Sequence, residues 1–409
     1  MSDFEALSTL IPGCSAVMDR QRSVVATRLT LAAVDPAAPI DGAAVLAALG
    51  EAWPDQPEAL SLRLRPMDPA AAKAATLGTT LLLNAAGEPL LRALLAQPPV
   101  PRFAIEVPAF LATDPGIAES VRAQAQAGGT LAIKGGAREP LPADLAACFT
   151  LQIDEAGGAA AVPALPRVRV GVHSPADLDA AFAAGCANAA GWPLGEAPTK
   201  PTGKQAVAPE LQVILELINR VDREEPVDRL EAVLKNDPTL AFRLIRYINS
   251  PGFGLSVEIG SFRHALMILG YQRLKRWLAL LLASASKDAN MKPVMFAAVR
   301  RGLVMEELAR GSGDAELRGE LFICGVFSLL DRLLRQPFAE LLRSVPVPDR
   351  VRMALLGEEG PFTPYLELVQ AIEAESVIEV REGAERLMIG VSEVSQAFFR
   401  AWSGAARLG

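Results

Sequence analysis

The sequence predicts an α/β half followed by an all-α half, the first of them a (β/α) barrel. Three observations predict it. Short β-like runs alternate with Ala/Leu-rich helical stretches from residue 20 to about 195. A Pro-, Gly- and Lys-bearing segment, PLGEAPTKPTGKQAVAPE (193–210), then interrupts the chain. Beyond it β-like runs nearly vanish, and apolar residues recur at three- and four-residue spacings. Alternating β and α elements call for a parallel sheet covered by helices, and about six to eight such units suggest a barrel. The expected organisation is a barrel over 1–195, a linker over 196–210 and a helical domain over 211–409.

In chain order the β-like runs are VVATRLTLAAV (24–34), TTLLLNA (79–85), RFAIEV (102–107), GTLAIKG (129–135), FTLQID (149–154) and RVRVGV (167–172), with LSLRLRP (60–66) a weaker seventh. Helical stretches between them cover 43–52, 116–129 and 174–186. The last opens with Ser174 as N-cap, Pro175 in the first turn and Asp177 three residues on, a good helix start. In the second half, helical spacing covers 211–221, 227–236, 240–250, 261–270, 271–285 and 295–313, with stops at Gly270, Gly311 and Gly313. A further run, ELRGELFICGVFSLLDRLLRQ (316–336), reads as a core helix, and 362–409 reads as helices closing the domain.

Composition narrows the function classes. Hydrophobic residues make up 51%, charged residues 21%, and the net charge is −7. Mild acidity argues against non-specific nucleic-acid binding, which needs a basic surface; a local patch at 271–276 is the one basic candidate, read as a solvated face. The four cysteines, Cys14, Cys148, Cys186 and Cys324, form no CxxC pair and fit reduced thiols. The N-terminus has no signal-peptide pattern and no apolar run is long enough for a bilayer, so a cytoplasmic protein without a membrane partner is expected. Two histidines, His173 and His264, fall in different halves and supply no imidazole cluster for a metal. His264 is read as a packing residue, and Asp331 with Arg332 and Arg335 as a solvated helix end.

The most specific stretch is 237–286. A helix starting at Asp237-Pro238 stops at Asn249, Ser250, Pro251, Gly252, Phe253 and Gly254, and IGSFRHALMILG follows. Pro251 cannot continue a helix, and the two glycines permit tight turns around Phe253. This signature resembles the HDOD domain over roughly 200–390. That family is related to HD-type phosphohydrolases without their metal-binding His-Asp pair, and here Val326-Phe327-Ser328 stands where such a pair would be expected.

The upstream half, over about 20–195, looks like an EAL domain, a TIM-like barrel whose active members hydrolyse cyclic di-GMP with two divalent metals. The carrying segments are RLTL within 18–32, LLLNAAGEPLL, FAIEVPAF, LAIKGGA, LQID and RVGVHSPADLDAAFAAGCANAAGWPL. The resemblance implies retained family positions at Asn84 and Glu106. It implies lost ones at Arg28 for the first glutamate, Lys134 and Gly135 for the aspartate pair, Gln152 for the lysine, Val170 for a glutamate and Ala190 for a glutamine. Two-metal hydrolysis needs a carboxylate cage, so the expectation is a degenerate EAL-like domain without catalytic residues, metal or cofactor.

The leading expectation is therefore a non-enzymatic bacterial signal-transduction protein with an HDOD output or interaction scaffold. Its partners are expected to be other signalling proteins, with a homodimer open and cyclic di-GMP and nucleic acid not expected. The alternatives are a metal-free cyclic di-GMP receptor using Arg28 and Lys134, and an enzyme with a rewired site, which would need a new carboxylate or thiol cluster; Glu106, Asp154 and Cys148 come from adjacent segments but form no recognisable set.

Overall fold

In a computed structural model of the chain, the residues described are 4–53, 80–135, 141–155, 165–199, 209–235, 262–284, 288–343, 345 and 347–405. Two compact units emerge. One comprises residues 1–195 with 292–294 and 367–406; the other comprises 196–291 with 295–366 and 407–409.

In the first unit, among the described residues, eight strands close into a barrel. They are β1 (Leu10–Met18), β2 (Val24–Ala33), β3 (Leu81–Ala85), β4 (Phe103–Pro108), β5 (Thr130–Lys134), β6 (Leu151–Asp154), β7 (Arg167–Val172) and β8 (Asn188–Gly191). Strands β2 to β8 run parallel in sequence order. β1 runs antiparallel to both β2 and β8 and so closes the ring. The expected β/α alternation is what the fold shows. Two strands lacked a β-like signature: β1 carries Pro12, Gly13 and Ser15, and β8 is only NAAG. The weak run at 60–66 lies outside the described residues.

Period-two alternation sends Val17, Ala26, Leu82, Ala104, Ala132, Leu151, Ile153, Val168, Val170 and Ala190 into one apolar cluster inside the barrel. On the outer side, Met18, Val172, Cys186 and Ala189 pack with Leu178 and Ala181 of the Pro175–Ala183 helix. That helix starts in a full capping box: the Ser174 hydroxyl accepts from the Asp177 amide, and the Asp177 carboxylate accepts from the Ser174 amide. These bonds hold the Asp177 pKa below its ordinary value. Further helices follow β2, β3 and β4 at Gly42–Ala52, Glu88–Leu95 and Pro115–Gln126.

Segment 367–406 was expected to close the helical half; it belongs instead to the unit that contains the barrel. The cause is its apolar face. Phe398, Phe399 and Trp402 of the Val391–Ala405 helix are buried, and Trp402 stacks on Trp53 at 5.3 Å between ring centroids. Ser395 donates to the Leu10 carbonyl, and Arg381 donates to the Val34 carbonyl at 2.6 Å. Both anchors lie at the same end of the antiparallel β1–β2 pair, whose register joins Leu10 to Ala33.

The second unit is helical: Pro209–Asp222, Val227–Lys235, Phe262–Ser284, most of Met291–Leu308, Ala315–Phe327, Leu330–Leu334 and Asp349–Leu356. The expected stop at Gly270 appears as a break within Phe262–Ser284, where φ is 69° and ψ 171°. The run at 316–336 splits at Ser328 into two helices. Gly325 makes the first of them a core helix in a direct way. A Cβ there would lie 2.5 Å from the Gly302 nitrogen, so the two helix backbones touch where neither residue has a side chain. The HDOD signature at 249–254 lies outside the described residues, as does the side chain of His264.

The split at Ser328 also corrects the reading of Asp331. Starting a new helix turns this carboxylate inward, and its side chain is 2% exposed. It accepts from Arg332, while Arg301 donates to Ser328 at 3.0 Å nearby. Burial raises the Asp331 pKa, against the opposing charges of Arg332 and Arg301. Only Arg335 behaves as a solvated end, pairing at 2.7 Å with Asp288. In the basic run, Lys275 pairs with Asp222, and Arg276 pairs with Glu306 while lying over the Phe322 ring.

Candidate functional site

The inward face of the barrel turns polar toward the C-terminal ends of its parallel strands, the end at which such barrels carry their sites. Strand register dictates the layout. Arg28 stands opposite Ser15 across β1–β2, Thr30 opposite Asn84 across β2–β3, and Asn84 opposite Glu106 across β3–β4. Lys134 ends β5 on the same face as Ala132.

At the centre is an ion pair with almost no solvent contact. Arg28 Nε donates to Glu106 Oε1 at 2.7 Å and Arg28 Nη2 to Glu106 Oε2 at 2.8 Å, so both carboxylate oxygens are engaged. This fork-to-fork geometry is the strong form of an Arg–carboxylate contact. The third guanidinium nitrogen, Nη1, donates to Glu375 Oε2 at 2.6 Å. Burial alone would lower the Arg28 pKa, but the charges and hydrogen bonds of Glu106 and Glu375 outweigh it and hold the pKa above its ordinary value.

Glu375 completes the arrangement. Besides Arg28, its carboxylate accepts from Thr30 Oγ1 at 2.5 Å and from Ser15 Oγ at 2.9 Å. A chain of side chains extends the network: the Asn84 amide donates to Thr30 Oγ1 at 3.0 Å, and Lys134 Nζ donates to Asn84 Oδ1 at 3.3 Å. Lys134 also lies 3.6 Å from Glu155.

Six of the residues singled out in the sequence therefore meet at or line this interior: Arg28, Asn84, Glu106 and Lys134 in the polar layer, with Val170 and Ala190 in the apolar layer that contains Leu82 and Ala104. Gly135 follows Lys134 with φ 73°. Gln152 does not join them. Leu151 and Ile153 of β6 line the interior, so alternation puts Gln152 and Asp154 on the other face, where Asp154 pairs with Arg169 at 2.9 Å. That placement also separates Asp154 from Glu106, and Cys148 instead donates to the Asp144 carbonyl. The trio weighed for a rewired enzyme is not assembled. Sequence reasoning missed Ser15, Thr30 and Glu375; a hydroxyl opposite Arg28 could be found only once β1 was recognised as a strand.

The two-metal cage that the EAL resemblance implies does not fit these residues. Both oxygens of Glu106 already accept from Arg28, and Arg28 and Lys134 bring cations to positions where divalent ions need anionic donors. Among the described residues, no group of three or more His, Cys, Asp and Glu side chains is placed to hold a metal ion.

Comparison with known proteins adds a family for the helical half. Residues 208–338 match the HDOD domain. The resemblance drawn from the sequence reached further, over roughly 200–390. The chain is 30% identical over 201 residues to the cyclic di-GMP phosphodiesterase CdgJ of Vibrio cholerae, covering 48% of this chain and 46% of that protein. It is 31% identical over 166 residues to the uncharacterized protein YuxH of Bacillus subtilis, covering 39% of this chain and 40% of that protein. The matches thus span less than half the length of these curated relatives. No solved structure matches the chain significantly. Similarity to a named phosphodiesterase overturns the expectation, drawn from the lost ligand positions, that the chain is no enzyme. Among the described residues no helix is long and apolar enough to cross a membrane.

Proposed function

We propose that the chain is a signal-transduction protein operating in cyclic di-GMP control, with the HDOD segment as its protein-interaction output and an EAL-like barrel, altered at its metal positions, as the module that regulates it. The HDOD match and the similarity to CdgJ support signalling. One observation carries the reading of the barrel. Where the EAL resemblance implies a metal-binding glutamate stands Arg28, and Glu106, a retained position, is spent on neutralising it. The partners of the HDOD segment are, in this reading, other signalling proteins.

A second reading, that the barrel is a metal-free receptor for cyclic di-GMP, is favoured by the donors gathered at its mouth. Arg28, Ser15 and Thr30 converge on one carboxylate, and Lys134 stands nearby.

Calorimetric titration of cyclic di-GMP into the full-length protein, with and without magnesium and with the nucleotide followed by chromatography, tests both. The expected outcome is that magnesium makes no difference. Superimposed isotherms with heat select the receptor, and superimposed flat isotherms select the first reading, with a barrel that regulates the HDOD segment without taking the nucleotide. A magnesium requirement for binding would displace Arg28 from the role assigned to it and overturn the reading.

A further inference from the structure

The carboxylate of Glu375 is held as a bound anion would be. One guanidinium and two hydroxyls, from Arg28, Ser15 and Thr30, point at its two oxygens from adjacent strands of the barrel wall. Guanidinium and hydroxyl donors of this kind receive carboxylates and phosphates alike. Glu375 itself comes from outside the wall, in the segment 367–406.

Three features mark the contact as built. Glu375 follows the Thr363–Glu373 helix at φ 55°, a left-handed position that favours glycine. The helix end there is a Schellman motif: the Ser376 amide donates to the Ala371 carbonyl and the Glu375 amide to the Ile372 carbonyl. A residue with a long acidic side chain is thus kept in a strained conformation, which is where functional constraints concentrate. Gly13, on the inward face of β1, leaves the space that Glu375 enters, because a Cβ there would lie 2.7 Å from the Glu375 Cα. Finally, the Glu375 side chain is 19% exposed while that of Glu106 is fully buried. Of the two carboxylates on Arg28, Glu375 is the one at the open edge.

We infer that Arg28, Ser15 and Thr30 form an anion-binding site at the barrel mouth, that Glu375 is its internal occupant, and that a phosphate-bearing ligand takes the site when Glu375 leaves. The inference deepens the receptor reading and rests on it for the nucleotide alone, not for the site. An internal competitor lowers apparent affinity by the fraction of molecules in which the site is open, so removing the competitor should restore affinity.

The test uses the full-length protein and the substitution Glu375→Gly. Glycine keeps the left-handed turn without strain, so the variant retains the helix end while losing the carboxylate. Inorganic phosphate and cyclic di-GMP are titrated separately, in chelator, into the wild type, into E375G, and into the same variant carrying Ser15→Ala and Thr30→Val. At least one probe should bind E375G about tenfold or more tightly than the wild type, and the added substitutions should remove that gain. Equal binding of both probes to wild type and E375G overturns the inference, as does a gain that survives loss of both hydroxyls. Tighter phosphate binding with no cyclic di-GMP binding by any variant keeps the site and rejects the nucleotide receptor. Where both probes bind wild type and E375G equally and cyclic di-GMP is bound, the receptor is kept and Glu375 is rejected as occupant. Should E375G not fold, Glu375→Gln carries the same comparison, since it removes the charge and keeps the volume.

Discussion

Gly13 and Glu375 share one space: a single carbon added to Gly13 would come within 2.7 Å of the Glu375 Cα and 3.0 Å of its Cβ. The nearer atom is backbone, so the clash cannot be relieved by a side-chain rotation. Gly13→Ala should therefore unseat the turn at 374–376 and cost about 1–3 kcal/mol, the range for overpacking. Hydrogen exchange checks it. The amides of Glu375 and Ser376, bonded to the Ile372 and Ala371 carbonyls, should exchange faster in the variant, while the β4 and β5 amides keep their protection. Unchanged exchange at 375–376 would mean that β1 absorbs the methyl instead.

Both carboxylate oxygens of Glu106 are committed to Arg28, which also holds Glu375, and neither member of the Arg28–Glu106 pair can be removed alone without cost. Arg28→Ala would leave the Glu106 carboxylate buried without its partner, a loss of about 3–5 kcal/mol. Replacing both with apolar residues of similar volume, Arg28→Met with Glu106→Leu, should recover much of that loss, because such pairs are often neutral to replace. Urea unfolding of the two single variants and the double variant gives the coupling directly. Additive losses would show that the pair is not a unit.

The last helix is expected to contribute to the barrel-containing unit through Trp402. Its ring stacks on Trp53 and lies 4.8 Å from Phe398, centroid to centroid. Trp402→Ala opens a cavity among these rings and should cost about 3–5 kcal/mol. Thermal unfolding followed by tryptophan fluorescence would register it as a lower midpoint with loss of the stacked-ring signal. A wild-type midpoint would place the stability of this unit elsewhere.

The legible parts of the chain were those with local signatures. β2 to β7 announced themselves through β-branched and Leu-rich runs, and the Pro175–Ala183 helix through Ser174 and Asp177. β1 did not, because Pro12, Gly13 and Ser15 interrupt any β-like pattern, yet those departures are the adaptations that admit and bind Glu375. Gln152 was placed among the ligand positions by a motif-like LQID, while strand alternation put Leu151 and Ile153 inside. The contact from Arg28 to Glu375 bridges 347 residues of sequence. No periodicity or spacing rule connects residues so far apart, and the αL turn that aims Glu375 carries none of the glycine or asparagine that would have flagged it.

Asp331 offers a pH test with a sign opposite to that of most carboxylates. Burial, only partly offset by Arg332 and Arg301, raises its pKa in the folded protein. The folded state therefore holds this proton more tightly than the unfolded chain, whose aspartates titrate near ~3.9. Below that pH the carboxyl is neutral in both states and costs nothing. As pH rises through and above the ordinary carboxylate range, the unfolded state gains by ionising first, and the contribution of Asp331 to stability falls. Asp331→Asn cannot ionise and keeps an acceptor for the Arg332 amide. The variant should accordingly be more stable than the wild type at neutral pH, and the difference should shrink as pH is lowered toward about 4. Groups elsewhere titrate identically in both proteins, so the difference between their urea midpoints, measured across that range, isolates this carboxyl. A difference independent of pH, or a less stable variant at neutral pH, would show that the pair with Arg332 outweighs the burial of the charge.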